Sequence, residues 1–177
     1  MLASLFRLGN PRRSTSARTF MEAVSFAGSP AVRLLLTCVI AVLLFVQGRH
    51  RIARFFLVAV GGGSLLNTLV KNVVERRRPR SLLGVAQAGG SSFPSGHANG
   101  ALVFSGAVTF AVWQRTRNRV ATFIAGAAGA AASALIGYSR VALRQHHTGD
   151  VLAGYLMGAA WLAVLLRRYA RVDSTLP

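Results

Sequence analysis

The sequence predicts an all-α integral membrane bundle of about five transmembrane helices, with a basic interfacial segment at its N-terminus. Three observations carry that expectation. The 177 residues are 53% hydrophobic with a mean hydropathy of +0.46, yet they bear a formal net charge of +17. Apolar runs joined by short basic loops produce both values at once, whereas a soluble domain seldom does. The arginines punctuate those runs instead of forming one stripe, which argues against the nucleic-acid face that so basic a chain could otherwise present. Finally, five apolar runs succeed one another in a length that holds one domain.

Residues 1–18 read as a basic N-terminal arm, and 19–28 as a short helix at the membrane surface. The first run, 34–48, lies between Arg33 and Arg49. No small-residue cleavage site follows it and four more runs do, so it is expected to be an uncleaved anchor rather than a signal peptide. The others are 55–74, interrupted only by Lys71, then 98–114, 120–139 and 151–166. Each approaches the ~20 residues that cross the hydrocarbon, with flanking arginines able to snorkel to the interface. The membrane domain is therefore placed at 19–170, followed by a tail at 171–177. Gly61, Gly62 and Gly63, and the small residues of 125–132, are read as sites where helices approach closely. They are not a phosphate loop, because no Lys-Ser/Thr follows at the required spacing. The single cysteine, Cys38, is expected to pack within its run, and His50 to be solvated.

Five crossings sort the loops into two sets. Arg49, Arg51, Arg54, Arg115, Arg117, Arg119, Arg167, Arg168 and Arg171 fall on one side. The other side holds Arg7, Arg12, Arg13, Arg18 and Arg33, together with a cluster suited to phosphate. With that cluster set aside, the first side carries the excess positive charge and is expected to be cytoplasmic.

The cluster on the second side is where chemistry is expected. Lys71 precedes Arg78 by seven residues, two turns if the helix persists, so the two cations would share a face. Ser95 is a natural N-cap opening the third run. Gly96 lets a ligand approach the backbone, and the free N–H groups there favour an anion. Arg140 closes the fourth run. With Lys71 and Arg78 it matches the charge of a phosphate monoester, close to two negative charges near neutral pH. Asp150 stands four residues after His146, where on a helix its carboxylate can hold one imidazole nitrogen and leave the other free to attack phosphorus. His147 is also within reach of Asp150, so spacing leaves open which ring is the nucleophile. His97 supplies a second imidazole able to protonate a departing alkoxide. Loop arginines commonly serve topology, and a lone His or a His–Asp pair is unremarkable, but these residues all fall at run ends on one membrane face.

Lys71 with Arg78-Pro79, Pro94-Ser95-Gly96-His97, and Ser139-Arg140 with His146 and Asp150 resemble the three signature motifs of the type 2 phosphatidate phosphatase (lipid phosphate phosphatase) family, which is related to vanadate-dependent haloperoxidases. The resemblance covers residues from about 20 to 166. It implies a helical membrane bundle in the bacterial cytoplasmic membrane, with its active site at the extracytoplasmic surface. It implies His146 as the nucleophile that forms a phosphohistidine, Asp150 as its partner, and His97 as acid and then base. Lys71, Arg78, Ser95, Gly96 and Arg140 would hold the phosphoryl oxygens. Many members have six crossings; here the amino-terminal one is absent or replaced by the arm. Arg144, Arg76, Arg77 and Arg80 would add headgroup contacts or remain solvated.

The expected activity is phosphate removal from a phospholipid or polyprenyl phosphate, such as phosphatidate, phosphatidylglycerol phosphate or a polyprenyl phosphate or diphosphate. No cofactor, metal or nucleic acid is expected to take part. A phosphotransferase using the same phosphohistidine would differ by acceptor-dependent turnover with little free phosphate. A haloperoxidase would need vanadate, and the apolar runs argue against it. A non-catalytic lipid-binding protein would have no need of paired imidazoles.

Overall fold

The computed structural model describes residues 15–79 and 90–173, and over these the chain is helical without strands. Six helices follow in order: α1 (Thr15–Ala27), α2 (Pro30–Val46), α3 (His50–Val73), α4 (Gly96–Thr116), α5 (Arg119–Ala142) and α6 (Thr148–Asp173). The five predicted runs correspond to α2–α6, and the predicted surface helix to α1. Most of the arm, including Arg7, Arg12 and Arg13, lies outside the described residues, as do Arg80 and residues 174–177.

Among the described residues, α3, α5 and the Thr148–Tyr169 part of α6 are each long and apolar enough to cross a membrane, and α1 with α2 passes as one span bent by 44°. The fifth expected span, α4, falls short on apolarity, because His97, Asn99, Ser105, Thr109 and Gln114 interrupt its 21 residues. The reason is its position. It is the central helix and packs against α2, α3, α5 and α6, so its polar side chains meet protein rather than lipid. Large apolar side chains such as Leu35, Val42, Phe123, Ile124, Leu152 and Leu156 are exposed on the outer helices, as a lipid-facing surface requires.

Local chemistry sets the helix ends. An Arg18–Glu22 ion pair at 2.8 Å, one turn apart, supports α1, which begins at Thr15, inside the stretch read as the arm. Ser29 caps α2 by accepting from the Val32 N–H, with Pro30 in the first turn. Arg117 adopts the left-handed conformation (φ 50°) that ends α4, and Asn118 caps α5 by accepting from the Ala121 N–H at 3.0 Å. Several arginines read as loop residues extend helices instead, including Arg51 and Arg54 in α3 and Arg167 and Arg168 in α6. Arginine is a good helix former, and its long stem reaches the interface without unwinding the backbone.

In lipid the hydrophobic effect does not distinguish helix–helix from helix–lipid contact, so close packing must hold the bundle together. At the short-loop end, Phe55 stacks on Phe110 (ring centroids 3.9 Å) and meets Tyr169 edge-on (4.8 Å). Toward the other end, α6 lays Gly154 and Gly158, a small-xxx-small pair, on the first turns of α4. A Cβ at Gly154 would fall 2.6 Å from the Ser95 carbonyl oxygen, and one at Gly158 3.1 Å from that of Asn99. This crossing ties the start of α4 to the start of α6. Gly62 and Gly63 are close-packing glycines as expected, set against Trp161 and Val103, whereas Gly61 faces open space. The small residues of 125–132 differ from expectation: Gly126 and Gly129 face α4, but most of the run is exposed on the outer face of α5. Cys38 is likewise exposed rather than packed within its run.

Candidate active site

The ends of α3 and α5 and the beginnings of α4 and α6 meet at one end of the bundle, and every predicted site residue lies there. Lys71, Arg78, Gly96, His97, Arg140 and His146 all line one cavity of about 570 Å³. The two imidazoles therefore open on a common space. Ser95 and Asp150 stand behind it, both fully buried.

Each side chain is positioned by identifiable contacts. Ser95 is the N-cap of α4; its Oγ accepts from the Ala98 N–H, and its own N–H donates to the Asp150 carbonyl at 2.8 Å. The α4 N-terminus is thereby locked to the first turn of α6 with its dipole directed at the cavity. Lys71 and Arg78 do not share a helical face as the seven-residue spacing predicted. Helix α3 ends at Val73, and the residue before a proline disfavours the α conformation, so Arg78 lies beyond the helix in irregular chain. The two cations converge instead on the Ser91 carbonyl, Lys71 Nζ at 2.8 Å and an Arg78 Nη at 3.4 Å.

His146 precedes α6, so its relation to Asp150 is not that of two residues on one helix. Its Nδ1 lies 2.7 Å from the Ser92 carbonyl oxygen and 3.7 Å from Asp150 Oδ2. A carbonyl oxygen can only accept, so Nδ1 carries the proton and the lone pair is on Nε2. The orienting hydrogen bond predicted from Asp150 thus comes from a backbone carbonyl, because the shorter contact has hydrogen-bond length and the longer does not. Asp150 accepts instead from the His147 N–H at 2.9 Å, capping α6, and from Arg76 at 2.7 Å. From behind the ring its charge stabilises any positive charge that develops there. Nε2 faces an Arg78 Nη at 3.4 Å. His147, the rival imidazole, is exposed and is not among the cavity residues.

Lying between helices, His146 has its pKa pushed down to about 4, first by burial and then by the Arg78, Arg140 and Lys71 cations, against a raising effect of the Ser92 carbonyl. The ring is neutral at pH 7. Because the folded pKa lies below the unfolded value near 6.5, the unfolded chain binds the extra proton between about 4 and 6.5. This group's share of stability is complete above 6.5 and is lost as pH falls toward 4. The melting temperature in detergent should therefore fall less steeply across that interval in His146→Gln than in the parent. Equal slopes would show that His146 titrates normally.

Arg140 is buried, with its Nη atoms donating to Ser25 Oγ of α1 and Gln145 Oε1. Among the described residues, the Nε atoms of Arg140 and Arg78 are buried without hydrogen-bond partners, as is Asn67 Nδ2. A buried donor left unpaired costs roughly 1–3 kcal/mol, and an oxyanion in the cavity would satisfy such groups. Sequence reasoning missed several contributors: the Ser91 and Ser92 carbonyls, Ser25, Gln145, Asn67 and Arg33. Arg76, read as a possible headgroup contact, is the ion-pair partner of Asp150. No cluster of three or more His, Cys, Asp or Glu able to hold a metal occurs among the described residues.

The chain is similar to known proteins in sequence and in fold. The family model described as "PAP2 superfamily" matches residues 52–173. Phosphatidylglycerophosphatase B of Bacillus subtilis (strain 168) is 29% identical over 143 residues, which span 78% of this chain and 68% of that protein. The crystal structure of a transmembrane PAP2-type phosphatidylglycerolphosphate phosphatase from Bacillus subtilis shares the fold, with a TM-score of 0.83 at 22% identity over 94% of this chain and 83% of that one. Aquifex aeolicus LpxE gives a TM-score of 0.66 at 25% identity, over 93% and 94% of the respective chains.

Proposed function

Because the chain belongs to the PAP2 superfamily, and is a membrane lipid phosphatase, we propose that it cleaves the terminal phosphate from a lipid phosphate by transferring it first to His146. The observation that carries this reading is the pinned ring of His146, with Nδ1–H on the Ser92 carbonyl at 2.7 Å and the Nε2 lone pair facing Arg78 in a cavity shared with His97.

Nε2 attacks phosphorus in line and forms a P–N bond as the P–O bond to the lipid breaks. The departing alkoxide takes a proton from His97, whose ring must first be protonated against its burial and the surrounding Arg140, Arg33 and Arg78 charges, which the bound phosphate offsets. His97 then takes a proton from water, whose oxygen attacks phosphorus. The P–N bond breaks, inorganic phosphate leaves, and both imidazoles return to their starting forms. Lys71, Arg78, Arg140 and the Gly96 N–H at the start of α4 hold the phosphoryl oxygens throughout, whereas the Ser95 N–H, expected among them, is taken by the Asp150 carbonyl. Phosphoryl transfer is mainly positioning and charge stabilisation, so these donors carry most of the rate enhancement. The cations neutralise the transferred group, so no metal is required for that purpose.

Phosphatidylglycerol phosphate, phosphatidate and polyprenyl phosphates or diphosphates remain the candidate substrates, the first favoured by the 29% identical relative. The charge distribution of the loops supports an extracytoplasmic site, and with it a substrate in the outer leaflet of a bacterial cytoplasmic membrane. Purified protein should release inorganic phosphate from at least one of these lipids in detergent, and should do so undiminished in EDTA. Strict dependence on a divalent ion, or release only when an acceptor lipid or sugar is added, would overturn the hydrolytic, metal-free reading.

A further inference from the structure

Arg33 is a cation that the three signature segments do not account for. It lies in the second turn of α2, is only 9% exposed, and lines the same cavity as His97 and His146. Its side chain makes one hydrogen bond among the described residues, a long one of 3.4 Å to the Gly28 carbonyl. No carboxylate among them forms an ion pair with it: Glu22 is paired with Arg18 and Asp150 with Arg76. A buried charge without a counter-charge is expensive to maintain, and an arginine so placed fits an anion that arrives with the ligand.

Its position is specific. The guanidinium rests on Gly100 of α4 so closely that a Cβ there would overlap it. Gly96, one turn earlier on the same face of α4, lies against Asn67 of α3, where a Cβ would come 3.0 Å from Oδ1. Asn67 is 6% exposed, lines the cavity, and leaves Nδ2 without a partner among the described residues. Three helices thus bring a guanidinium and an unpaired amide to adjoining glycines. Gly100 lies about 6 Å along α4 from Gly96, at the rise of an α-helix. Asn67 is likewise one turn from Lys71 on α3, and the cavity continues beyond it along Val60 and Leu57. Arg33 and Asn67 therefore stand between the phosphate-holding cations and the apolar part of the cavity, on the leaving-group side of the scissile bond.

We propose that Arg33 and Asn67 form a second phosphoryl subsite, so that the preferred substrate carries another phosphate between its terminal phosphate and its lipid. The inference rests on the phosphohistidine reading for the orientation of the substrate. Two lipid chemistries present such a group, a diphosphate and a phosphodiester-linked phosphate, and matched pairs separate them. Farnesyl diphosphate differs from farnesyl phosphate by one phosphoryl group, and phosphatidylglycerol phosphate differs from phosphatidate by a phosphoglycerol unit.

In at least one pair, the two-phosphate member should have the higher kcat/KM, and Arg33→Gln should shrink that ratio about 30-fold, the size of one charge-assisted hydrogen bond. Arg33→Lys should keep part of the preference. Gly100→Ala, which retains the charge but displaces the guanidinium, should lose it. The pair that responds identifies the source of the second phosphate. An unchanged ratio, equal losses on both members, or no preference in the parent protein would each overturn the subsite. Calorimetric titration of His146→Ala with the same pairs reads binding without turnover. Retained lipid hydrolysis in His146→Ala, with an Arg33-dependent binding preference, would condemn the phosphohistidine reading and leave the subsite standing.

Discussion

His146→Ala is expected to reduce phosphate release by about 10⁴-fold or more, the scale on which removal of a covalent nucleophile acts. Three features of the ring lead to that magnitude. Its Nδ1 proton is committed to the Ser92 carbonyl at 2.7 Å, so the lone pair is on Nε2 and the reactive tautomer is already selected. The ring is only 4% exposed, so little water competes for that lone pair. Its low pKa of about 4 keeps it unprotonated across the neutral range. The cations and the α4 N-terminus survive the substitution, so lipid binding should remain while turnover disappears. The diagnostic measurement is acid-labile, base-stable phosphate on the parent protein in a rapid quench with labelled lipid, absent from His146→Ala. Transfer of label to His147 or to no residue, with activity retained in the variant, would sink the assignment. His147→Ala serves as the contrast, since that ring is exposed and outside the cavity.

The sequence made the chemistry legible where chemistry demands particular side chains. Lys71, Arg78, Ser95, His97, Arg140, His146 and Asp150 fall at ends of apolar runs, and such ends must meet at a membrane face. What stayed hidden was whatever depends on backbone or on depth. The acceptor that orients His146 is the Ser92 carbonyl, and a carbonyl carries no residue identity to read. The four-residue His–Asp spacing pointed to Asp150 as the orienting group, but the helix starts only at Thr148, and Asp150 is turned to its cap and to Arg76. Arg33 was indistinguishable from the other arginines that border apolar runs. Only the close seat on Gly100 shows that it points inward rather than to the interface. Helix α4 looked like any other span, because a hydropathy pattern does not say which helix is surrounded. Its Asn99, which donates to the Gly63 carbonyl at 2.9 Å, was the available clue: an amide at that depth must bond to a neighbouring helix.

Loss of His97 should be smaller and should change character with the leaving group, which makes it the sharper test of a two-step reaction. On a lipid phosphate, His97→Ala is expected to lower kcat by about 10²–10⁴-fold, because an alkoxide must depart without a proton donor. A p-nitrophenyl ester leaves as a stable phenolate and needs no such proton, so phosphorylation of His146 should proceed nearly normally with it. Dephosphorylation still needs a base to activate water, and that step would remain slow. His97→Ala should therefore give a burst of nitrophenolate approaching one equivalent of enzyme, followed by a slow steady rate, while phosphate stays on the protein. The geometry supports both roles for one ring. His97 sits in the first turn of α4 beside the N–H groups of the anion site, and it opens on the cavity that holds Nε2 of His146. It can thus face the oxygen on the far side of phosphorus in each half-reaction. A slow rate with no burst would mean that His97 acts only before the phosphoenzyme forms. An unaltered rate on the lipid would remove it from the chemistry and leave the α4 N-terminus and the arginines to support departure of the alkoxide unaided.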